Sequence, residues 1–376
     1  MKIGLVCRHF LSTKGGLERY TLAISSELAR QGHEVHVFAN SGDKRPDVTL
    51  HHVPLFPLTS PGKNLSFAWM AAKRISEFRL DVVHSMERIW DQDIFRASDG
   101  INPVQMEQRY PNLLIRSFKT ITPRRRALTY LEKKIFCRNG ARFIMTNSAL
   151  VKDQIRNHYG VSGDRIHVIY NSVNSQRYNL SDRDRFRREI RLRYDVGDHD
   201  TLLLFVGNGF RLKGLPVVME AMAGLNNPQI KLMVAGSDPI APYQRWANRT
   251  GLGDSVIFLG YQADLEQFYG AADLFVLPTQ YDPFANVCLE AMACGTPVIT
   301  TRMNGVSEII VHGHDGYVLW TRDPKELSAR ILDFLALTDR PAMANRAAEK
   351  AAAFTMDAHM QQLVALYKRV SEEKRR

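Results

Sequence analysis

Three short stretches carry residues suited to binding phosphate and sugar hydroxyls. Residues 278–299 read PTQYDPFANVCLEAMACGTPVI. An apolar run ends at Pro278, Asp282 falls in the loop that follows, and a helix is predicted to start near Ala285, which puts Glu290 in its second turn. The opening amides of such a helix, Phe284, Ala285, Asn286 and Val287, lack intrahelical partners and can receive phosphate or sugar oxygens. A carboxylate just inside it is placed to accept hydrogen bonds from a diol such as that of ribose. A capped surface helix with ordinary carboxylates fits the same spacing. The second stretch is GNGFRLKG, 207–214. Gly207 and Gly209 let the backbone approach a ligand, while Arg211 and Lys213 supply positive charge beside Asn208; a solvated basic loop is the plain alternative. The third, Gly15-Gly16, opens a helix and allows close approach to phosphate, but it is not G-x-G-x-x-G, so a dinucleotide fingerprint fails.

These residues need a scaffold, and strand-length apolar runs alternating with helical periods provide one. Residues 2–6, 34–38, 50–55, 81–85, 141–148 and 167–174 read as strands, with helices near 17–31, 65–78 and 149–158. This is the rhythm of a parallel sheet covered by helices on both faces. Residues 175–198 are strongly charged and read as a surface segment. A second series follows, with strands at 201–207, 231–236, 255–260, 273–278 and 296–301 and helices near 214–223, 240–250, 263–271 and 286–294. Three helices, near 323–336, 340–353 and 357–371, close the chain. LVCRHFLSTKGGLERY in the first half echoes LFVGNGFRLKGLPVV in the second: strand, basic Gly-bearing loop, helix. Two Rossmann-like domains are expected, with ligand at the carboxyl ends of the strands.

Composition narrows the class. The 376 residues suffice for two or three domains, and 45% hydrophobic with 24% charged residues is ordinary for a globular protein. Collagen-like, disordered and disulfide-scaffold chains are excluded. No apolar run approaches the ~18 residues of a membrane span, and the first residues read too short for a signal-peptide core, so a cytoplasmic protein is expected. Cys7, Cys137, Cys288 and Cys294 form no C-x-x-C, and the histidines are scattered. The net charge of +11 is uneven: residues 116–138 hold Arg116, Lys119, Arg124, Arg125, Arg126, Lys133, Lys134 and Arg138 against Glu132 alone. Such a cluster seeks phosphate on a nucleic acid, a nucleotide or an anionic membrane. Pro123 breaks it into a loop and a helix near 124–137, with Leu128, Leu131 and Ile135 on one face.

The 278–299 stretch resembles the E-x7-E region of retaining glycosyltransferases, specifically glycosyltransferase family 4 with its GT-B fold, and LEAMACGTPVI is close to that family's usual wording. The resemblance extends to the Gly-Gly loop, VIYNSVN (168–174), the VG…KG loop, VAG (234–236) and AADLFVLP (271–278). It implies an α/β architecture of two Rossmann-like doubly wound domains facing a central cleft: 1–174 for the acceptor, with the 357–376 helix packed back on it, and 175–356 for the nucleotide sugar. Glu290 matches the acid that binds the donor ribose, and Arg211 and Lys213 the cations that hold the diphosphate. Gly207 and Asn208 belong to the same loop, and Gly15-Gly16 to the family's loop facing donor phosphate. Asp282 stands where the family usually has Glu and is shorter by one C–C bond, about 1.5 Å. Asn208 occupies the family's usual Arg position. Ala97-Ser98-Asp99 looks like an element of lipopolysaccharide core glucosyltransferases whose Asp lies near the donor sugar; a turn residue is the alternative. Tyr261 and Gln262 in GYQAD match the nucleobase loop, and His84 is an acceptor-side candidate, with a core aromatic and a buried strand-end histidine as alternatives.

The activity so implied is a retaining hexosyltransferase that moves glucose from UDP-glucose to a hydroxyl of a glycolipid or saccharide, in lipopolysaccharide core or other cell-envelope glycan synthesis. No metal or other cofactor is expected; Asp91-Gln92-Asp93 has a D-x-D spelling, but its context resembles no metal-binding strand end. The 116–138 segment points to docking on the inner face of the cytoplasmic membrane. Two other classes remain: a same-fold nucleotide-sugar epimerase, for which no His or acid constellation is found, and a nucleic-acid binder, for which the aromatics Phe118, Tyr130 and Phe136 are thin and no motif accompanies them.

Overall fold

The computed structural model describes residues 1–11, 15–56, 59–137 and 140–375. It divides into two compact units, Met1–Tyr170 with His359–Arg376, and Asn171–Ala358. The boundary lies at 170/171 rather than 174/175. The reason is local: Val173 N–H donates to Phe354 O (2.9 Å), and Asn171 Nδ2 donates to Asn286 Oδ1 (2.7 Å), so the turn after the 166–168 strand is built into the second unit.

The first unit contains β1 (Lys2–Val6), β2 (His9–Phe10), β3 (Glu34–Ala39), β4 (Ser41–Gly42), β5 (Thr49–His52), β6 (Val82–Ser85), β7 (Ile94–Arg96), β8 (Phe143–Thr146) and β9 (Ile166–Val168). Seven of these form a parallel sheet in the order β5-β3-β1-β6-β7-β8-β9; β2 and β4 make a small pair. The second unit contains β10 (Thr201–Val206), β11 (Ile230–Ala235), β12 (Val256–Gly260), β13 (Leu274–Leu277), β14 (Val298–Thr301) and β15 (Gly316–Leu319), ordered β12-β11-β10-β13-β14-β15 and also parallel. Both are doubly wound: the order reverses direction beside β1 in one sheet and beside β10 in the other. At such a switch point the loops leaving two neighbouring strands diverge and open a crevice. Strands TLLLFV and LFVL are buried at every residue, as sheets covered on both faces require.

Several elements differ from expectation. The charged 175–198 stretch contains the helix Arg183–Arg193. Its apolar residues are sparse, but Ile190 is buried, and Asp273 accepts from Arg187 Nη1 (2.7 Å), Arg191 Nη2 (2.5 Å) and the Leu202 amide (2.7 Å). A distant carboxylate thus compensates the charge the helix buries. Short strands β7 and β15 were too brief to register as apolar runs. In the basic segment there are two helices, Leu113–Thr120 and Pro123–Phe136; Arg138 lies outside the described residues. The second turns Leu131 and Ile135 into the core beside Phe67 and Phe95 respectively. The first buries nothing: Leu113, Leu114, Ile115 and Phe118 are all at least half exposed. No helix among the described residues is long and apolar enough to cross a membrane.

Candidate active site

The loop leaving β10 is shaped by its glycines. Gly209 (φ 75°) and Gly214 (φ 97°) occupy left-handed conformations that flank a single helical turn, Phe210–Lys213. Asp238, in the loop after β11, accepts from the amides of Gly209 and Phe210, both at 2.8 Å, and Phe210 packs edge-on against Phe205 and Tyr243. Asn208 Oδ1 accepts from the Ser237 amide (2.8 Å), so its side chain staples this loop to that of β11. Arg211 is exposed, and Lys213 Nζ is hydrogen-bonded and ion-paired to Asp282 Oδ2.

Asp282 belongs to the loop leaving β13, on the other side of the same switch point. Its Oδ1 accepts from the Phe284 amide (3.1 Å). Sequence reasoning left the amides of Phe284 and Ala285 open to a ligand; both are taken, the second by Asn304 Oδ1 (3.1 Å). The reason is a fully buried Asn304, which also accepts from the Val306 amide and donates to Thr300 Oγ1 (3.0 Å). The side chains of Phe284 and Ala285 are buried too. The helix proper runs Asn286–Ala293, and among the described residues no acceptor takes the amides of Asn286 and Val287, which therefore form its open N-terminus. Glu290 lies in the second turn, partly buried, and its Oε2 accepts from the hydroxyl of the fully buried Tyr269 (3.0 Å). Burial first, and then the Glu290 charge, push the Tyr269 phenol well above its ordinary range, so it donates at any working pH.

Tyr261 follows β12 and is 73% exposed, which removes the core-aromatic alternative. Gln262 donates back to Leu259 O (2.7 Å), and the Gly236 amide donates to Gly260 O (2.9 Å), tying this loop to that of β11. The second unit therefore gathers Gly207, Asn208, Arg211, Lys213, Asp282, Asn286, Val287 and Glu290 on the loops after β10 and β13 and the helix that follows, with Tyr261 and Gln262 after β12, two strands out from β10. Asp238, Asn304 and Tyr269 were missed. The asparagine-glycine pair after β14 and the Gly-Ser-Asp-Pro run after β11 were legible turn signals; Tyr269 had none.

In the first unit Gly15 caps the helix Gly16–Arg30, and Asp99 is exposed on the loop after β7. That loop is pinned: Arg88 Nη2 donates to Gly100 O (3.3 Å), Asn147 Nδ2 to Ser98 O (3.2 Å), and the Asn102 amide to the fully buried Glu132 (3.0 Å). His84 is a correction. It has no exposure, and its Nδ1 lies 2.7 Å from the Tyr367 hydroxyl, so the ring is a buried packing element rather than one open to an acceptor.

Burial first, then Arg96, lowers His84 from 6.5 to about 3, and burial lowers the neighbouring His359 to about 4. Both rings are neutral in the folded chain, whereas unfolding lets each take a proton below about 6.5. The unfolded state then holds more protons, so stability falls as pH drops through the window from about 6.5 towards 4, by about 1.4 kcal/mol per pH unit for each ring. Melting temperature should decline between pH 7 and pH 5, and His84→Gln should flatten the decline; a wild-type profile flat over that range would contradict it.

Comparison with known proteins agrees with this geometry. The model for glycosyl transferases group 1 matches residues 186–352, and that for Glycosyltransferase Family 4 matches residues 14–177. A probable transglycosylase of Burkholderia thailandensis is 32% identical over 324 residues, 82% of this chain and 80% of that one. The lipopolysaccharide glucosyltransferase WaaG of Escherichia coli K12 is 26% identical over 81% of this chain and 82% of its own. The crystal structure of WaaG, described as involved in lipopolysaccharide biosynthesis, superposes with a TM-score of 0.80 at 24% identity over 96% of this chain and 98% of that one. Anabaena HepE in complex with UDP and glucose gives 0.75 at 19% identity, covering 97% and 99%. With its two parallel doubly wound units and the charged loops at the switch point of the second, the chain belongs to the family 4 glycosyltransferases of the GT-B fold.

Proposed function

We propose that the protein transfers glucose from UDP-glucose, with retention of anomeric configuration, to a hydroxyl of a membrane-borne glycolipid such as a lipopolysaccharide core. The observation that carries the reading is the meeting of Lys213 with Asp282 beside the open N-terminus at Asn286 and Val287, with Glu290 one turn into the same helix. Cations and helix amides suit a diphosphate, and the second-turn carboxylate suits the ribose diol. As the glycosidic bond breaks, negative charge grows on the leaving diphosphate, and Lys213 and Arg211 offset it. The acceptor hydroxyl attacks from the face the diphosphate leaves, and a diphosphate oxygen takes its proton, so configuration is retained without a dedicated base. The WaaG name and the HepE complex support glucose and UDP as donor parts. A thermal-shift screen of nucleotide sugars, followed by NMR of the product anomer, tests it. Stabilisation by UDP-glucose and an α-linked product are expected; inversion, or no response to any nucleotide sugar, overturns the reading.

The countercharge resides in the chain, so activity is expected to survive EDTA. Among the described residues no group of three or more His, Cys, Asp and Glu could hold a metal ion, and Asp93 is engaged by the Val83 amide (2.8 Å) and Lys374 Nζ (3.1 Å). Loss of activity in EDTA that manganese or magnesium restores would contradict this.

A membrane-borne acceptor is favoured by the Leu113–Thr120 helix, whose exposed Leu114 and Phe118 lie next in sequence to the exposed cations Lys119, Arg124, Arg126, Lys133 and Lys134. An apolar face beside cations suits an anionic lipid surface. Arg125 is not part of that face, since it donates to Asn102 Oδ1 (2.6 Å). Replacing Arg124 and Arg126 with Ser should weaken binding to anionic vesicles by roughly 30-fold at low salt, at about 1 kcal/mol per charge, and less at high salt. Phe118→Ser should weaken it at any salt. Wild-type protein that ignores anionic vesicles would overturn this part.

A further inference from the structure

Arg322 stands between β15 and the helix Pro324–Leu335, half-buried, and among the described residues no carboxylate pairs with it. Its guanidinium donates Nε to Pro278 O (3.0 Å), Nη1 to Gln280 Oε1 (3.3 Å) and Nη2 to Arg211 O (3.1 Å). All three acceptors belong to the two loops that flank the switch point. Those loops also bind each other directly. The Gln280 amide donates to Leu212 O (2.8 Å), and a Cβ on Gly214 would lie 2.3 Å from Pro278 O. Burying a charge against neutral carbonyls, without a counter-ion, is costly. The planar fork, with donors fixed in three directions, spans acceptors on two loops that a single ammonium could not.

We propose that Arg322 is a positioning residue for diphosphate departure: it locks the Arg211–Lys213 turn onto the Pro278–Asp282 loop, so that Lys213 is aimed before the transition state forms. The inference rests on the donor-site reading above. A cation aimed in advance costs no reorganisation at the moment of reaction.

The test is Arg322→Lys, alone and combined with Lys213→Ala, with kcat, donor KM and hydrogen–deuterium exchange of 207–214 and 278–282 as readouts. Lysine keeps the charge but not the fork. Arg322→Lys should lower kcat by roughly 10-fold with donor KM little changed, part of the ~100-fold that a 1 Å misplacement can cost. The double variant should lose less than the product of the two single losses, because both changes act on the same turn and chiefly through the Lys213 ammonium. Exchange in both loops should quicken. A variant with wild-type kcat, a double variant in which the losses multiply, or unchanged exchange in both loops would overturn the inference. Failure of the donor-site reading looks different: wild-type protein would then bind no nucleoside diphosphate, and the exchange arm would still decide whether Arg322 holds the loops.

Discussion

Replacing Lys213 with alanine is expected to lower turnover by at least ~100-fold, the scale on which one preorganised electrostatic group acts. The argument starts from the backbone. Left-handed glycines at 209 and 214 bracket one helical turn, and Asp238 fixes the amides of Gly209 and Phe210 at its start. The ion pair with Asp282 then fixes the far end of the side chain. Lys213 is therefore aimed by the fold, and its charge is available when negative charge develops on the departing diphosphate. Folding should suffer much less. The Lys213 side chain is 26% exposed, and a partly solvated pair contributes little to stability. Asp282 also keeps the Phe284 amide when the ammonium is gone. Steady-state release of UDP, measured beside thermal melting, separates the two effects. Near-normal turnover in the folded variant would return the loop to solvated surface.

Most of the scaffold that aims Lys213 was legible in the sequence, for a physical reason. Parallel strands buried on both faces need unbroken apolar runs, and TLLLFV, KLMVAG and DLFVLP supply them. Glycines 207, 209 and 214 marked a loop that only such residues can close. The Arg183–Arg193 helix was not legible, because what stabilises it is Asp273, some eighty residues away in sequence. The Leu113–Thr120 helix was legible, since Leu114, Ile115 and Phe118 recur at helical spacing, but the reading of a loop ahead of Pro123 passed over it. Two core contacts of the basic segment, Leu131 and Ile135, lie one helix later.

The site divides in the same way. Candidate groups read from type and spacing, such as Lys213, Asp282 and Glu290, could be named in advance. Groups that act by holding those could not. Asn304 closes the Ala285 amide, one of those that sequence reasoning had left open, and Asp238 and Arg322 reach their partners from the loops after β11 and β15. His84 shows the converse: a strand-end histidine reads equally as acceptor-side or as buried, and Tyr367, nearly three hundred residues later, decides for burial.

Glu290→Ala is expected to weaken UDP binding by roughly 10- to 150-fold, the loss of a charge-assisted hydrogen bond worth about 1.5–3 kcal/mol. Two features set this size. The carboxylate is partly buried, so an interaction with a ribose diol is screened less than one at the surface. The Tyr269 hydroxyl also holds Oε2, which fixes the rotamer before any ligand arrives and limits the entropy lost on binding. The same contact complicates the alanine variant, because a buried phenol left without its acceptor costs about 1–3 kcal/mol of stability. Tyr269→Phe resolves the ambiguity: it removes the clamp but keeps the charged acceptor. Its affinity loss should be well below that of Glu290→Ala, whereas a purely structural Glu290 would give two variants with similar melting temperatures and similar, small affinity losses. Calorimetric titration with UDP on both proteins, at a temperature where each is folded, makes the comparison. Unchanged affinity in Glu290→Ala would remove the ribose assignment and leave the carboxylate as the partner of Tyr269 alone.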